Sequence, residues 1–391
     1  MKKSMMIFFF LSIFQNIANN LAHPVTPTLI KNLNLGNYMF GVAYAAMAFG
    51  QFLFSPFWGK MTKVIGERKQ MTIGVLGYAL GQFMFMIAKN EAMIIVARFI
   101  GGVGMSGFTV AALSYLIRIS DDAHRGQNLT YYTTITTVCS TLGYLIGGIA
   151  GDQNIMLSFL IQIGLLVLIG ILYALYVKEN EALQRMSQVE LLKEANPLSA
   201  IVDGKEIMTK CLLLIFGACF IASLASTAYD QSFNYYIKDI FNFKPSYNGI
   251  LKAAVGVISF LANMTVCIRL QRKNRLDSSL FIIFGLCASS LYFFTKAENI
   301  AVLLSVNMFY FAVNSLYIPL IQNLCVQASS TTKQGVIMGF FNSMKALGMI
   351  VGALMAGFSY NLDPKMPFLI AALFFLISAL VMLMYKKEVK S

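Results

Sequence analysis

Twelve apolar stretches of membrane-spanning length occupy almost the whole chain, and one basic connection divides them six and six. A bilayer-spanning helix needs about 20 mostly apolar residues, and in lipid its backbone must satisfy its own hydrogen bonds. The stretches fall at residues 5–30, 37–58, 70–89, 92–117, 127–150, 155–177, 209–236, 247–268, 278–295, 299–326, 334–359 and 366–385. The expected fold is an all-α membrane protein of 12 transmembrane helices in two six-helix bundles. Its divisions are an N-terminal bundle at 1–177, a linker at 178–208 and a C-terminal bundle at 209–391. With 391 residues in all, no length is left for a soluble catalytic domain, so an enzyme is not expected. The basic N-terminus, Met1 to Met6, runs into apolar sequence without a small-residue cleavage site. It therefore reads as a first span rather than a signal peptide.

The net charge of +13 is topological. Lys2, Lys3, Lys60, Lys63, Arg68, Lys69, Arg118, Arg125, Lys178, Arg185, Lys193, Lys205, Lys210, Arg269, Arg272, Lys273, Arg275, Lys333, Lys386, Lys387 and Lys390 fall on one side of the spans. Only Lys31, Lys89, Lys238, Lys244, Lys296 and Lys365 fall on the other. By the positive-inside rule the richer side is cytoplasmic, which places both termini inside a multi-pass cell-membrane protein. No nucleic-acid partner is implied; the partners expected are the lipid bilayer, a small molecule and protons, with the chain acting as a monomer. The six cysteines form no CxxC pair and there are only two histidines, His23 and His124, so no metal site is expected. No GxxxxGK[ST] phosphate loop appears, so ATP is not the expected energy source and no cofactor is called for.

The long connection from Lys178 to Lys210 mixes Glu, Lys and Arg with Leu183, Val189, Leu191 and Leu192. It reads as an amphipathic surface helix broken near Pro197 that tethers the halves. The halves look related. Span five ends in Gly143, Gly147, Gly148 and Gly151, its counterpart carries Gly348, Gly352 and Gly357, and basic clusters follow spans two and eight. Such correspondence points to parallel internal repeats with a substrate site near the midplane.

Three motifs stand out. GKMTKVIGERKQ (Gly59 to Gln70) joins spans two and three, with Gly59 and Gly66 permitting tight turns and close helix approach beside Arg68 and Lys69. ARFIGGVGMSG (Ala97 to Gly107) puts Arg98 inside span four, where an arginine needs a cavity or a partner unless it snorkels to the interface. CSTLGYLIGGIAGD (Cys139 to Asp152) sets small residues along span five as packing devices.

Together, in this order and over the whole chain, these motifs resemble the major facilitator superfamily, specifically its twelve-span drug:proton antiporters. The resemblance implies export by alternating access between two six-helix halves, with spans one, four, seven and ten lining the cavity. Gly59, Gly66, Arg68 and Lys69 match the family's first motif, Arg98 the second, and Gly143, Gly147 and Gly148 the antiporter motif. There are departures: Lys63 stands where the family has an Asp, and Cys139 and Tyr144 replace a Gly and a Pro.

An ion-coupled carrier needs an ionisable group that is alternately buried and hydrated. Asp230, in STAYDQSFNYY (Ser226 to Tyr236), is the acid placed well inside a span and the expected proton-coupling group. Tyr229, Phe233, Tyr235 and Tyr236 are expected around it as an aromatic cavity. Span one offers Asn16, Asn20 and His23 with Pro24 and Pro27, and span ten offers Asn307, Tyr310, Asn314 and Tyr317 on one helical face. These polar stripes are read as cavity lining, interhelical hydrogen bonding being the alternative. Lys345 lies mid-span in span eleven and needs an anion, a cavity or a carboxylate such as Asp230, while Lys252 reads as interfacial. With Arg98 and Lys345 set against Asp230, the cavity favours anionic or zwitterionic solutes over lipophilic cations. The expected function is proton-coupled export of small amphiphilic compounds. An exporter of an anionic metabolite is the alternative, ahead of an importer or a non-transporting scaffold.

Overall fold

The computed structural model describes residues 2–121, 125–179, 209–272, 275–328 and 334–389. The expected linker at 178–208 thus lies almost wholly outside the described residues. Those residues are helical, with no strand among them. In chain order the helices are α1 (Lys2–Asn20), α2 (Thr26–Asn32), α3 (Met39–Ile65), α4 (Glu67–Met86), α5 (Glu91–Ile119), α6 (Arg125–Gln153) and α7 (Ile155–Tyr176). There follow α8 (Lys210–Asp239), α9 (Pro245–Ala262), a π-helical turn at Asn263–Cys267, α10 (Ile268–Arg272), α11 (Leu276–Lys296), α12 (Ile300–Asn314), α13 (Tyr317–Gln327), α14 (Gln334–Leu362) and α15 (Met366–Glu388). Among the described residues, eight helical stretches are long and apolar enough to cross a membrane. Met39–Ser55 in α3 adds a shorter apolar stretch. The remaining expected spans are helices too, but more polar: α1 carries Gln15, Asn16, Asn19 and Asn20, and α6 is rich in threonine.

Short turns set the helix ends. The side chains of Asn90, Asn154 and Asn299 accept backbone N–H bonds from Met93, Met156 and Ala301 at 2.9, 2.9 and 2.8 Å, capping α5, α7 and α12. Two expected spans are broken, because proline has no N–H and crowds the carbonyl four residues earlier. The first span stops at Asn20 and resumes at Thr26, around Pro24. There Gln162 Nε2 donates to the carbonyls of Ala18 (2.7 Å) and Asn19 (3.2 Å), and Tyr78 Oη donates to Asn19 O at 3.0 Å. The tenth span breaks at Ser315–Leu316, four residues before Pro319, and Asn263 Nδ2 donates to Ser315 O at 3.5 Å. Buried polar side chains thus satisfy backbone groups that lipid would leave bare.

The chain divides into two compact units, Met1–Leu35 with Ala46–Pro197 and Ile237–Ala253, and Gly36–Ala45 with Leu198–Tyr236 and Ala254–Ser391. In the first, α4 lies along α5 at backbone contact: a Cβ on Gly81 would meet Gly101 N and Cα at 2.5 Å, and one on Gly104 would strike Tyr78 N. Without a hydrophobic drive between helices in lipid, such close backbone approach is what holds them. Its apolar core gathers Phe8, Tyr78, Phe108, Tyr115, Tyr132 and Tyr173. In the second, an aromatic cluster of Tyr229, Phe233, Phe294, Tyr310 and Phe368 ties α8, α11, α12 and α15 together, with Tyr229 and Tyr310 at 4.2 Å between centroids.

The same contact recurs in each unit. Gly143 and Gly147 of α6 sit on the carbonyls of Ile17 in α1 and Leu21 just beyond it, and Gly348 and Gly352 of α14 sit on those of Phe220 and Leu224 in α8. Both glycine pairs and both carbonyl pairs are four residues apart, one stripe on each helix. This is the repeat in three dimensions.

Candidate functional site

In the first unit the break after α1 brings together groups from α1, α5 and α6. Arg98, 6% exposed on α5, donates from Nη2 to Thr26 Oγ1 at 3.0 Å and reaches Met47 Sδ at 3.9 Å. Its guanidinium lies 3.8 Å over the Phe85 ring, a cation–π stack in a desolvated place. It therefore turns inward rather than snorkelling. His23 stacks on Tyr144, centroids 5.5 Å apart and planes 15° from parallel. Asn16 Nδ2 donates to Ser12 O at 2.8 Å, and Asn20 Nδ2 to Asn16 O at 2.9 Å and Ser140 Oγ at 3.0 Å. Much of the span-one polar stripe is thus engaged with backbone. Lys252, expected at the interface, is half-buried with Nζ 5.8 Å from the Tyr144 ring.

In the second unit, Cys219, Ser223, Ser226 and Asp230 follow one another on one face of α8. Asn314 Nδ2 donates to Ser226 Oγ at 2.9 Å, and the Tyr317 and Ser223 hydroxyls are 3.4 Å apart. Asp230 is half-buried and acts electrostatically on Tyr229 and on Tyr44 of α3. Tyr229 is fully buried and donates to Asn307 Oδ1 at 2.6 Å, while Phe233 and Tyr310 are buried in the aromatic cluster behind it. Tyr235 donates instead to Asn37 Oδ1 at 2.7 Å, and Tyr236 packs on Phe294 and Phe368. Lys345, half-buried on α14, lies within electrostatic reach of Cys219. By helical rise Cys219 is roughly 16 Å along α8 from Asp230.

The Gly59 to Gln70 segment departs from expectation at its start. α3 runs through Gly59 to Ile65, so that glycine makes no turn, and among the described residues nothing lies within 4 Å of where its Cβ would stand. Gly66 is the turn: its φ of +84° is unfavourable for other residues, and a Cβ there would strike the Glu179 carboxylate. Glu179 in turn pairs with Arg68 at 3.3 Å, and Lys69 is exposed.

The carboxylate that sequence reasoning passed over is Glu67, 4% exposed in the first turn of α4, where the helix dipole favours an anion. Arg118 donates to it from Nε at 2.9 Å and from Nη2 to Lys178 O at 3.3 Å. An acid directly after the turn glycine was the available signal. Glu67 and Arg118 thus latch α4 to α5 although Lys63 stands where an acid was expected. Glu67→Gln should lower stability by about 1–2 kcal/mol through the lost charge-assisted bond. In a thermal-melt cycle with Arg118→Gln the double variant should cost less than the sum of the singles; simple additivity would show no latch.

Comparison with known proteins places this geometry. A family model described as Major Facilitator Superfamily matches residues 8–353 and again 215–391. Multidrug resistance protein 2 of Bacillus subtilis is 25% identical over 374 residues, covering 94% of this chain and 91% of that protein. Quinolone resistance protein NorA of Staphylococcus aureus is 22% identical over 391 residues, covering 99% and 98%. Among solved structures, the nucleoside transporter NupG superposes with a TM-score of 0.76 at 15% identity, covering 98% of this chain and 99% of that one. The human organic anion transporter MFSD10 (TETRAN) gives 0.69 at 15% identity, covering 97% and 99%. A helical chain with paired glycine-on-carbonyl contacts, matched along its length by this family and its fold, belongs to the Major Facilitator Superfamily, whose members named here are transporters and not enzymes.

Proposed function

We propose that the chain is a proton-coupled exporter of small amphiphilic compounds, working by alternating access between halves at 1–177 and 209–391 joined by 178–208. The observation that carries the reading is Asp230: a carboxylate within a 30-residue helix of membrane-spanning length, half-buried one position from the buried Tyr229–Phe233 aromatic cluster. Such a group is neutral when desolvated and charged when hydrated, which is what proton coupling requires. The polar face from Cys219 to Asp230, with Asn314 and Tyr317, offers hydrogen bonds beside apolar rings, suited to amphiphiles. The multidrug resistance names of the relatives support the same direction of transport. In a host stripped of its own exporters, expression should lower retention of a zwitterionic fluorescent quinolone, and a protonophore should restore it. Unchanged retention at verified expression would overturn the proposal.

A second reading, export of an anionic metabolite, is favoured by one observation: Arg98 is buried, and its Nε hydrogen meets no acceptor among the described residues. The twelve-span topology with both termini cytoplasmic rests on the distribution of lysine and arginine. A cysteine placed between 178 and 208 in a cysteine-free variant should resist impermeant maleimide in intact cells. Labelling there, with none at Asn361, would invert the topology.

A further inference from the structure

Where the first span breaks, three helices of the first unit bring more polar groups into the interior than they pair. Gln15 and Asn19 stand on α1, Tyr78 and Gln82 one turn apart on α4, and Gln162 on α7; none is more than 4% exposed. Gln15 Nε2 donates to Asn19 Oδ1 at 2.7 Å, and the carbonyl of Asn19 accepts from Tyr78 Oη at 3.0 Å and Gln162 Nε2 at 3.2 Å. The side chains of Gln82 and Gln162 both lie within hydrogen-bonding reach of the Tyr78 hydroxyl. The five residues therefore form one contiguous cluster. Yet Gln15 Oε1, Gln82 Oε1, Gln162 Oε1 and Asn19 Nδ2 meet no partner among the described residues. Reversing an amide end for end does not cure the shortage, since it turns a nitrogen out where the oxygen was.

We infer that this cluster is a built site for ordered water inside the membrane-spanning part of the first unit. A buried amide atom without a partner is costly, and four in one cluster call for a ligand small enough to be shared among them. Three oxygens need three protons and one water carries two, so two molecules are the smallest complement, one of them accepting from Asn19 Nδ2. Such waters take about three hydrogen bonds each from otherwise unpaired groups. A monovalent cation also suits amide oxygens, but the Asn19 Nδ2 hydrogens and Arg98, whose charge acts on Tyr78, oppose it. The water has a task there. The break after Asn20 leaves α1 with backbone carbonyls that Tyr78 and Gln162 take up, and water fixes those two side chains in turn. Span one can then bend with no carbonyl left bare to lipid. The site goes beyond the export reading and does not rest on it.

The test is X-ray radiolysis of the full chain in nanodiscs, read by mass spectrometry. Hydroxyl radicals arise from water where it lies, so a ring shut off from bulk solvent is oxidised only if water is bound beside it. With each rate divided by that of the same residue in the denatured chain, Tyr78 should oxidise several-fold faster than Phe8. Phe8 is equally buried but packed against the rings of Tyr115 and Tyr132. Gln15→Leu combined with Gln82→Leu should bring Tyr78 down to the rate of Phe8, with Phe8 itself unchanged as the check on folding. If the pair does not fold, Gln82→Leu alone should at least halve the Tyr78 rate. A wild-type Tyr78 no faster than Phe8 would overturn the site, as would a Tyr78 rate that survives in the folded variants. Exchanging choline chloride for sodium chloride at equal ionic strength should leave the melting midpoint where it is. A saturable rise with sodium that Gln82→Leu removes would put a cation in the cluster and overturn the assignment to water. None of these readouts involves transport, so a failure of the export reading leaves the site standing.

Discussion

Asp230→Asn should abolish uphill export while substrate exchange down a gradient continues. Asparagine keeps the size and hydrogen-bonding capacity of the side chain but has no proton to give up at any accessible pH. The residue stands on an apolar helix, half-buried, one position from fully buried Tyr229 and three from Phe233. Proton coupling needs a group that changes charge within the transport cycle, and Asp230 is the one proposed for it. Removing the ionisable group uncouples transport from the proton. Expected in vesicles is counterflow near the wild-type rate with accumulation no higher than equilibrium. Full uphill export by Asp230→Asn at normal expression would take Asp230 out of the mechanism.

Gly147→Val should leave little folded protein. Any Cβ there would overlap the carbonyl oxygen of Leu21, just beyond α1, a backbone atom that cannot swing aside as a side chain would, and valine adds two further methyl groups to it. Overpacking of a tight contact costs about 1–3 kcal/mol, and a backbone clash lies at the upper end or beyond. Gly147→Ala should lower the melting midpoint by several degrees, and Gly352→Ala, against Leu224 O, by a similar amount because the repeat presents it with the same contact. Gly164→Ala, with nothing within 4 Å of its new methyl group, serves as the comparison and should melt as the wild type does. Equal midpoints for Gly147→Ala and Gly164→Ala would show that helix approach at α6 is not what holds the unit together.

The apolar runs were legible because lipid imposes one length and one backbone solution on any spanning segment. The breaks at Asn20–Thr26 and Asn314–Tyr317 were not, since hydropathy continues across Pro24 and Pro319 while the hydrogen-bond ladder does not. Helical spacing set Asn16 and Asn20 on one face but could not say whether that face meets a cavity or its own backbone; their amides bond backbone carbonyls. Gly59 and Gly66 looked alike in the motif, and only the positive φ at Gly66 separates them. Glu67 and Arg118 are 51 residues apart, and the pairing depends on α4 and α5 lying antiparallel at glycine contacts. Lys252 and Tyr144 meet only because Gly249 lets α9 touch α6, a tertiary event with no local signature.

Purified protein in proteoliposomes loaded with a pH-sensitive dye tests the coupled-export account most directly. With an imposed proton gradient and a zwitterionic quinolone present, the account predicts quinolone movement against its own gradient, matched by a substrate-dependent proton flux in the opposite direction that Asp230→Asn lacks. Quinolone movement with no accompanying proton flux, or the same flux in Asp230→Asn, would contradict it.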